Sequence, residues 1–492
     1  MTARISIDFA KDDSASKLFY RLLKGTAQRF ANSLNFNPPS TRDIFKKDYG
    51  EVLANFETAR LASVDRHKIA AVMSSALLEE LIVDSESKID LSSYMLKDKG
   101  YLLKNPSFTL EARQFSPSQI YNYNMNYAAK HYSLNEVCDL ARLMLKTKKL
   151  TSAANRALRK TSESFNLTEN TLDLKGERFV LLGAAAELAP TQLLLSAGAD
   201  VLWLDRQSPD FSSLPTEKFS GKLTYVKDGV DLLTQTREIA ALIYQYITNG
   251  DAAHIGLFAY AGGRGREVRL TAAMNSIVEA LPNDRLKSVA TYVSPTSIAV
   301  MQPEDEEAST AAQKKLKAWQ LVCQKIGSLK KPMIFKQSGF ALARAIVPLQ
   351  GISYQLAQYV GKNLSAEALQ EYGSFYPKTD GNKQTKPSIS VNVAGITKTR
   401  SLNHPIFQAA FVGAPKFDVD IFEVETTNTL AGLLMLHDCI VQPNQDSDQL
   451  FSKQIHGGIY SAGYALDPMI KIATLLGLAS KPRLLTGLVK AR

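Results

Sequence analysis

Cysteine is scarce in this chain: Cys138, Cys323 and Cys439 are three in number and far apart. A dispersed, odd set supports neither a disulfide framework nor a Cys-rich zinc site, and a reducing cytosol is the simplest compartment. Long apolar runs are missing too. Nowhere do about 18 uncharged apolar residues follow one another, so no spanning helix is expected. The nearest approach, residues 340–361, is broken by Pro348 and Gly351 and reads as a buried helix pair around a turn. The opening MTARISIDFAKDD has an acid by Asp8 and no apolar segment, which speaks against a cleaved secretory signal. The six histidines form no close pair. With no zinc spacing, P-loop or nucleophile-elbow serine either, no metal site is expected.

What is present is ordinary except for its charge. The chain has 492 residues, 45% hydrophobic and 22% charged, enough for about three domains, or two with one enlarged. Lys and Arg exceed Asp and Glu by 58 − 48 = +10. That balance leaves nucleic acid, phospholipid and phosphate-bearing cofactors open as partners.

Two patterns divide the chain. Residues 1–168 place apolar side chains at three- and four-residue spacings at 15–34, 60–83 and 135–149, as amphipathic helices require, with a loop or edge at 106–127. From Gly176, short Val/Ile/Leu-rich runs at 179–182, 201–204, 223–226, 255–259, 288–293 and 388–394 alternate with helical stretches. Such runs suit strands buried on both faces, and their alternation with helices predicts an α/β fold with a doubly wound parallel sheet. A further short strand is expected at 418–422 and a long helical insert at 304–331. The expected domains are a mainly helical one at 1–168, a sheet domain at 169–445, and a helical, basic extension at 446–492.

The first strand runs into Gly183-Ala184-Ala185-Ala186-Glu187-Leu188-Ala189-Pro190, and the second ends at Asp205. Small residues at such a turn let backbone N–H groups approach a pyrophosphate, and an acid about 20 residues on suits the adenosine ribose. Asp205 stands 205 − 183 = 22 residues after Gly183. Gly183 is the only glycine of the turn; Ala185 and Ala189 are small enough to substitute, and Glu187 must point away from any phosphate. Arg206 could accept a 2′-phosphate, so the cofactor is read as NAD or NADP.

The segments LLGAAAELA…ADVLWLDR, LFAYAGG, AAMNSIVEALP and SISVNVAGITKTRS, in this order, resemble the short-chain dehydrogenase/reductase family over about residues 176–440. The resemblance implies a Rossmann-like domain with Ala261-Gly262 in the turn after the fourth strand. It puts Gly395 and Thr399 in the loop that covers the nicotinamide, and Asn275 where the family keeps a helix-bending, proton-relay asparagine. It also implies a Ser, a Tyr and a Lys four residues after the Tyr. Ser294 fills the first role, with Ser297 as the fallback. Tyr354 suits the second, but Gln358 stands where the Lys belongs. Lys362, two turns on, is the candidate to reach the cofactor; Tyr359 with Lys362 is the other face-sharing pair.

Arg264 and Arg266, among the glycines of AYAGGRGREVRL, suit a phosphate or carboxylate. Two acid-free basic stretches, 140–161 and the tail after Asp467, interleave Lys and Arg with Leu, Met and Ile. They suit a membrane surface or an acidic carrier protein. Nucleic acid is not expected, since aromatics are not interleaved with these clusters. The resulting expectation is a cytoplasmic NAD(P)-dependent oxidoreductase, open to peripheral attachment at a membrane. Its substrate would be a small, fairly hydrophobic carbonyl, alcohol or enone, free or carrier-bound. The rival readings are a non-catalytic Rossmann-like ligand- or partner-binding protein, and a lyase or isomerase on the same scaffold.

Overall fold

The computed structural model describes residues 6–10, 13–83, 89–119, 121–263, 265–332, 334–337, 339–347, 350–377 and 385–484. Its centre is a seven-stranded sheet built from β1 (Leu110–Gln114), β2 (Arg178–Leu182), β3 (Asp200–Leu204), β4 (Lys222–Val226), β5 (Ala253–Leu257), β6 (Leu286–Val293) and β7 (Ser388–Val393). The strands lie in the order β7-β6-β5-β2-β3-β4-β1. β2 to β7 pair parallel with one another, and β1 pairs antiparallel with β4 at the edge. The chain moves outward in one direction from β2 and in the other from β5, so strand order reverses between these two.

Side chains alternate between the two faces, as the two-residue period of a strand dictates. Val180, Leu182, Leu202 and Leu204 enter one core, and Phe179, Leu181, Val201 and Trp203 the other. Among the helices are α1 (Ala15–Arg29), α2 (Arg42–Ala62), α3 (Arg66–Glu79), α4 (Val137–Lys146), α5 (Ser152–Ser164), α6 (Thr191–Ser196), α7 (Thr236–Thr248) and α8 (Arg266–Ala280). They continue with α9 (Pro303–Lys314), α10 (Ala318–Lys325), α11 (Gly351–Gln358), α12 (Ser365–Tyr372), α13 (Pro405–Gly413), α14 (Val424–Leu436) and α15 (Leu466–Ser480). The Val180 face is covered by α7, α8 and α12, with α1 to α3 continuing the same core; α4, α5, α6 and α14 share the core of the other face. Packing therefore crosses the boundary expected at residue 168.

Two local expectations are corrected. Residues 340–361 are not a helix pair: Phe340–Arg344 is a strand, paired antiparallel with Ile298–Val300 and Ile334–Gln337, and the helical part among the described residues is α11 with the π-helical turn that continues it from Tyr359. Partners from elsewhere in the chain override a run whose local pattern is ambiguous. Residues 418–422 form no strand beyond an isolated bridge from Phe422 to Thr397, because Asp418 is left-handed at φ 55° and breaks the extended run.

A buried ion cluster joins the N-terminal helices to the helix that follows the small sheet. Arg60 on α2 donates through Nε and Nη2 to Glu57, at 2.6 and 2.8 Å, and through Nη1 and Nη2 to Glu367 on α12, at 2.8 and 2.9 Å. Tyr359 donates to Glu57 at 2.5 Å, and His67 Nδ1 lies 2.9 Å from Glu367. Burial alone would raise the Glu367 carboxyl, but Arg60 and His67 outweigh it and hold the group at about 2. Its contribution to stability is thus fully present above the ordinary carboxyl range and is lost as pH falls toward 2. An Arg60→Met variant leaves buried carboxylates without their cation. It should lose about 3–5 kcal/mol at neutral pH by urea unfolding, and the loss should shrink toward pH 4 as those carboxyls take up protons.

Candidate functional site

The turns that leave the carboxyl ends of β2, β5, β6 and β7 share one edge of the sheet, the edge where ligands bind in open parallel sheets. After β2, Gly183 has φ 89°, and a Cβ there would lie 2.2 Å from the Ala259 nitrogen. Glycine is required because two chain segments meet: the Leu182 carbonyl accepts from both Phe258 N and Ala259 N at 2.8 Å. Ala185 is exposed and Ala189 buried. The turn satisfies much of its own backbone, since Ala186 N donates to Gly183 O and Ala189 N to Ala186 O.

Asp205 folds onto this turn. Its carboxylate accepts from Ala185 N at 3.0 Å and Arg206 N at 2.7 Å. Burial pushes the carboxyl up, against these amide bonds. Arg206 is exposed, with Nε 3.6 Å from Asp231. Glu187 points away from the turn: its carboxylate accepts from Arg400 N at 2.9 Å and lies 3.4 Å from Arg400 Nε. The loop after β7 is thereby tied to the turn after β2. In that loop Gly395 is packed under Phe422, whose ring would meet a Cβ at 2.3 Å, and Thr399 is half-exposed beside Ser401.

The loop after β5 carries Tyr260, Ala261 and Gly262 at the surface. A Cβ on Gly262 would meet only the Tyr260 hydroxyl, at 3.4 Å. The Tyr260 ring stands edge-on to Tyr354, 6.3 Å between centroids. Arg266 opens α8 and is exposed; Arg264 lies outside the described residues.

Tyr354, Gln358 and Lys362 run down one side of α11 and the π-helical turn Tyr359–Leu364 that continues it. Tyr354 faces Ser294, just beyond β6; burial raises its phenol, and the neighbouring serine hydroxyl partly offsets the rise. Gln358 accepts from Ser294 N at 2.9 Å, so the residue standing in the lysine position fixes the serine backbone instead of charging the phenol. Lys362 donates to the Tyr292 carbonyl at 2.7 Å, and burial lowers its ammonium to about 8.

Ser297, the fallback serine, donates to Gln355 at 3.1 Å and takes no part with Tyr354. Tyr359 is committed to Glu57 in the ion cluster. Asn275 is buried and donates to Gly361 O at 2.8 Å and Ser365 Oγ at 3.0 Å. It occupies a carbonyl of the π-turn rather than reaching the tyrosine. Unforeseen from the sequence is a chain of hydroxyls at the other side: Ser294 Oγ to Thr296 Oγ1 at 2.8 Å, then to Gln350 Oε1 at 2.7 Å. The only signal available was the density of hydroxyls in Ser294-Pro295-Thr296-Ser297.

Of the basic segments, 140–161 is engaged in part. Lys149 is buried against the Asp418 carbonyl and Asp420, Arg142 pairs with Asp139, and Arg159 lies 3.9 Å from Glu163. Asp139 and Glu163 lie just outside the acid-free window, and Asp420 comes from far along the chain.

The close approach at Gly183 makes a testable demand. A Gly183→Ala variant, strained by its φ and blocked by the Ala259 backbone, should lose more than about 2 kcal/mol in urea unfolding. Gly262→Ala, which meets only a phenol tip, should stay within about 0.5 kcal/mol. No protein-family model matches the chain, and no curated protein sequence matches it either.

Proposed function

We propose that the chain is an NAD(P)-dependent oxidoreductase of short-chain dehydrogenase/reductase type on a Rossmann-like domain, acting on a fairly hydrophobic carbonyl, alcohol or enone. The observation that carries this reading is the placing of Tyr354 beside Ser294 at the carboxyl edge of the sheet, where Gln358 of the same helix accepts from Ser294 N at 2.9 Å. Two hydroxyls from separate elements meet there, as proton transfer to a carbonyl oxygen requires. The strand order supports it, since dinucleotides bind where strand order reverses, here between β2 and β5.

A dinucleotide would lie along Ala185 and Gly262, both exposed at this edge, with the Tyr260 hydroxyl beside Gly262 and the Asp205 carboxylate on Ala185 N. Gly183, Ala185 and Ala189 would flank its phosphates, with Asp205 and Arg206 at the adenosine end. Ala261, Gly262, Gly395 and Thr399 would lie toward the nicotinamide end. When bound, that group gives or takes the hydride. The chain's own part is the proton: Tyr354 holds it at the substrate oxygen, Ser294 orients that oxygen, and Thr296 with Gln350 extend the path behind them. Tyr260 and Tyr354 offer aromatic walls for an apolar substrate.

Three observations favour the second reading, a non-catalytic binding protein or a lyase or isomerase on the same scaffold. The turn after β2 bonds its own amides, Asp205 is engaged by Ala185, and Gln358 replaces the lysine.

Titration with NADH and NADPH under nicotinamide fluorescence separates the two. Saturable binding is expected; no binding of either up to about millimolar concentration would leave the second reading. Tyr354→Phe should keep cofactor affinity and lower turnover by about 10²–10⁴-fold. Because the Lys362 ammonium titrates at about 8 and is charged below that pH, turnover should fall on the alkaline side near pH 8. Lys362→Met should remove that limb from the pH profile.

A further inference from the structure

From residue 308 to residue 366 the chain contains no Asp or Glu. Within that span lie Lys314, Lys315, Lys317, Lys325, Lys330 and Lys331, all exposed and none paired with a carboxylate among the described residues. They surround α10. Its inner side is fixed: Gln320 is buried and accepts from Lys317 N at 2.9 Å, and Leu329 is buried beneath, bonded to Cys323 O. Trp319 rests edge-on against Phe417, centroids 5.3 Å apart. The outer side is apolar: Leu321 is 45% exposed, Val322 57% and Ile326 70%, with Trp319 at 36%.

The acids of the preceding helix do not cancel this charge. Glu304 accepts from Ser152 N, Asp305 is buried against His456, and Glu306 pairs with Lys336, leaving Glu307 exposed.

We propose that α10 and its flanking lysines, Lys314 to Lys331, dock on an anionic lipid bilayer. Eight residues make about 12 Å of helix, so α10 can lie in the headgroup layer and cannot cross it. Among the described residues no helix is long and apolar enough to cross a membrane. An exposed apolar strip flanked by lysines, with a tryptophan at its border, is the arrangement that binds such a surface. Polyanions such as nucleic acid would satisfy the lysines but leave Leu321, Val322 and Ile326 in water, whereas lipid meets both needs. The inference stands apart from the cofactor reading, since nothing in it involves the sheet edge.

The chain supplies its own probe. It has two tryptophans, and Trp203 is buried in β3 while Trp319 is exposed. The full chain is mixed with vesicles of phosphatidylcholine alone, or of phosphatidylcholine with one third phosphatidylserine, at about 0.1 M salt. Expected are co-flotation and a blue-shifted emission with the anionic vesicles only, both weakened as salt rises. Trp319→Phe should abolish the shift and keep flotation. The double variant Lys325→Gln/Lys330→Gln should lower partitioning about tenfold or more, and Ile326→Asp should lower it further. No flotation with anionic vesicles, or equal flotation with phosphatidylcholine alone, would overturn the proposal. So would unchanged binding by Ile326→Asp, or a dimer in sedimentation that Ile326→Asp dissociates while vesicles stay unbound.

Discussion

The Arg60 guanidinium is 1% exposed and donates to two carboxylates, Glu57 on its own helix and Glu367 on α12. Taking such groups out of water is costly, and only mutual pairing with full hydrogen bonding offsets the cost. The pairing here therefore sets how α2 lies against α12. Tyr359 completes it from the π-turn, so the position of the segment carrying Tyr354, Gln358 and Lys362 depends on a contact made by the N-terminal helices. The mainly helical first third of the chain is in this sense part of the site's foundation.

The π-turn supplies the second constraint. Asn275 donates to the Gly361 carbonyl within that turn, and Lys362 donates to the Tyr292 carbonyl on β6. Both bonds pin the helix to the sheet, with Tyr354 one element-end away from Ser294. At the far side of β7 a comparable cluster does similar work: Asp438 accepts from Ser390 and Asn392 at 3.0 Å and lies 3.1 Å from Lys453. His437 and Asp438 open the π-helical turn that continues α14, and Asp438 thereby anchors the edge strand β7.

The strands were legible where burial on both faces demanded unbroken Val, Ile and Leu, as in Phe179-Val180-Leu181-Leu182. They were not legible where pairing came from distant segments, as for Phe340–Arg344, or where one left-handed residue, Asp418, broke an alternating run. Charge misled in the same way. Lys149 belongs by sequence to a basic surface stretch, yet its ammonium is buried on the Asp418 carbonyl. Asn275 sits in the position that suggested a relay, while the hydroxyl chain from Ser294 to Gln350 joins residues 56 apart (350 − 294) and no local pattern announces it.

Local chemistry thus determined the alternation of strands and helices and the nearness of Ser294 to a strand end. These follow from side-chain size, backbone freedom and burial, which are properties of short segments. Which tyrosine meets Ser294, where Asn275 and Lys362 spend their donors, and which lysines remain unpaired were decided only in three dimensions. A hydrogen bond or ion pair depends on what the rest of the chain brings within about 3 Å, and that is a property of the packed fold.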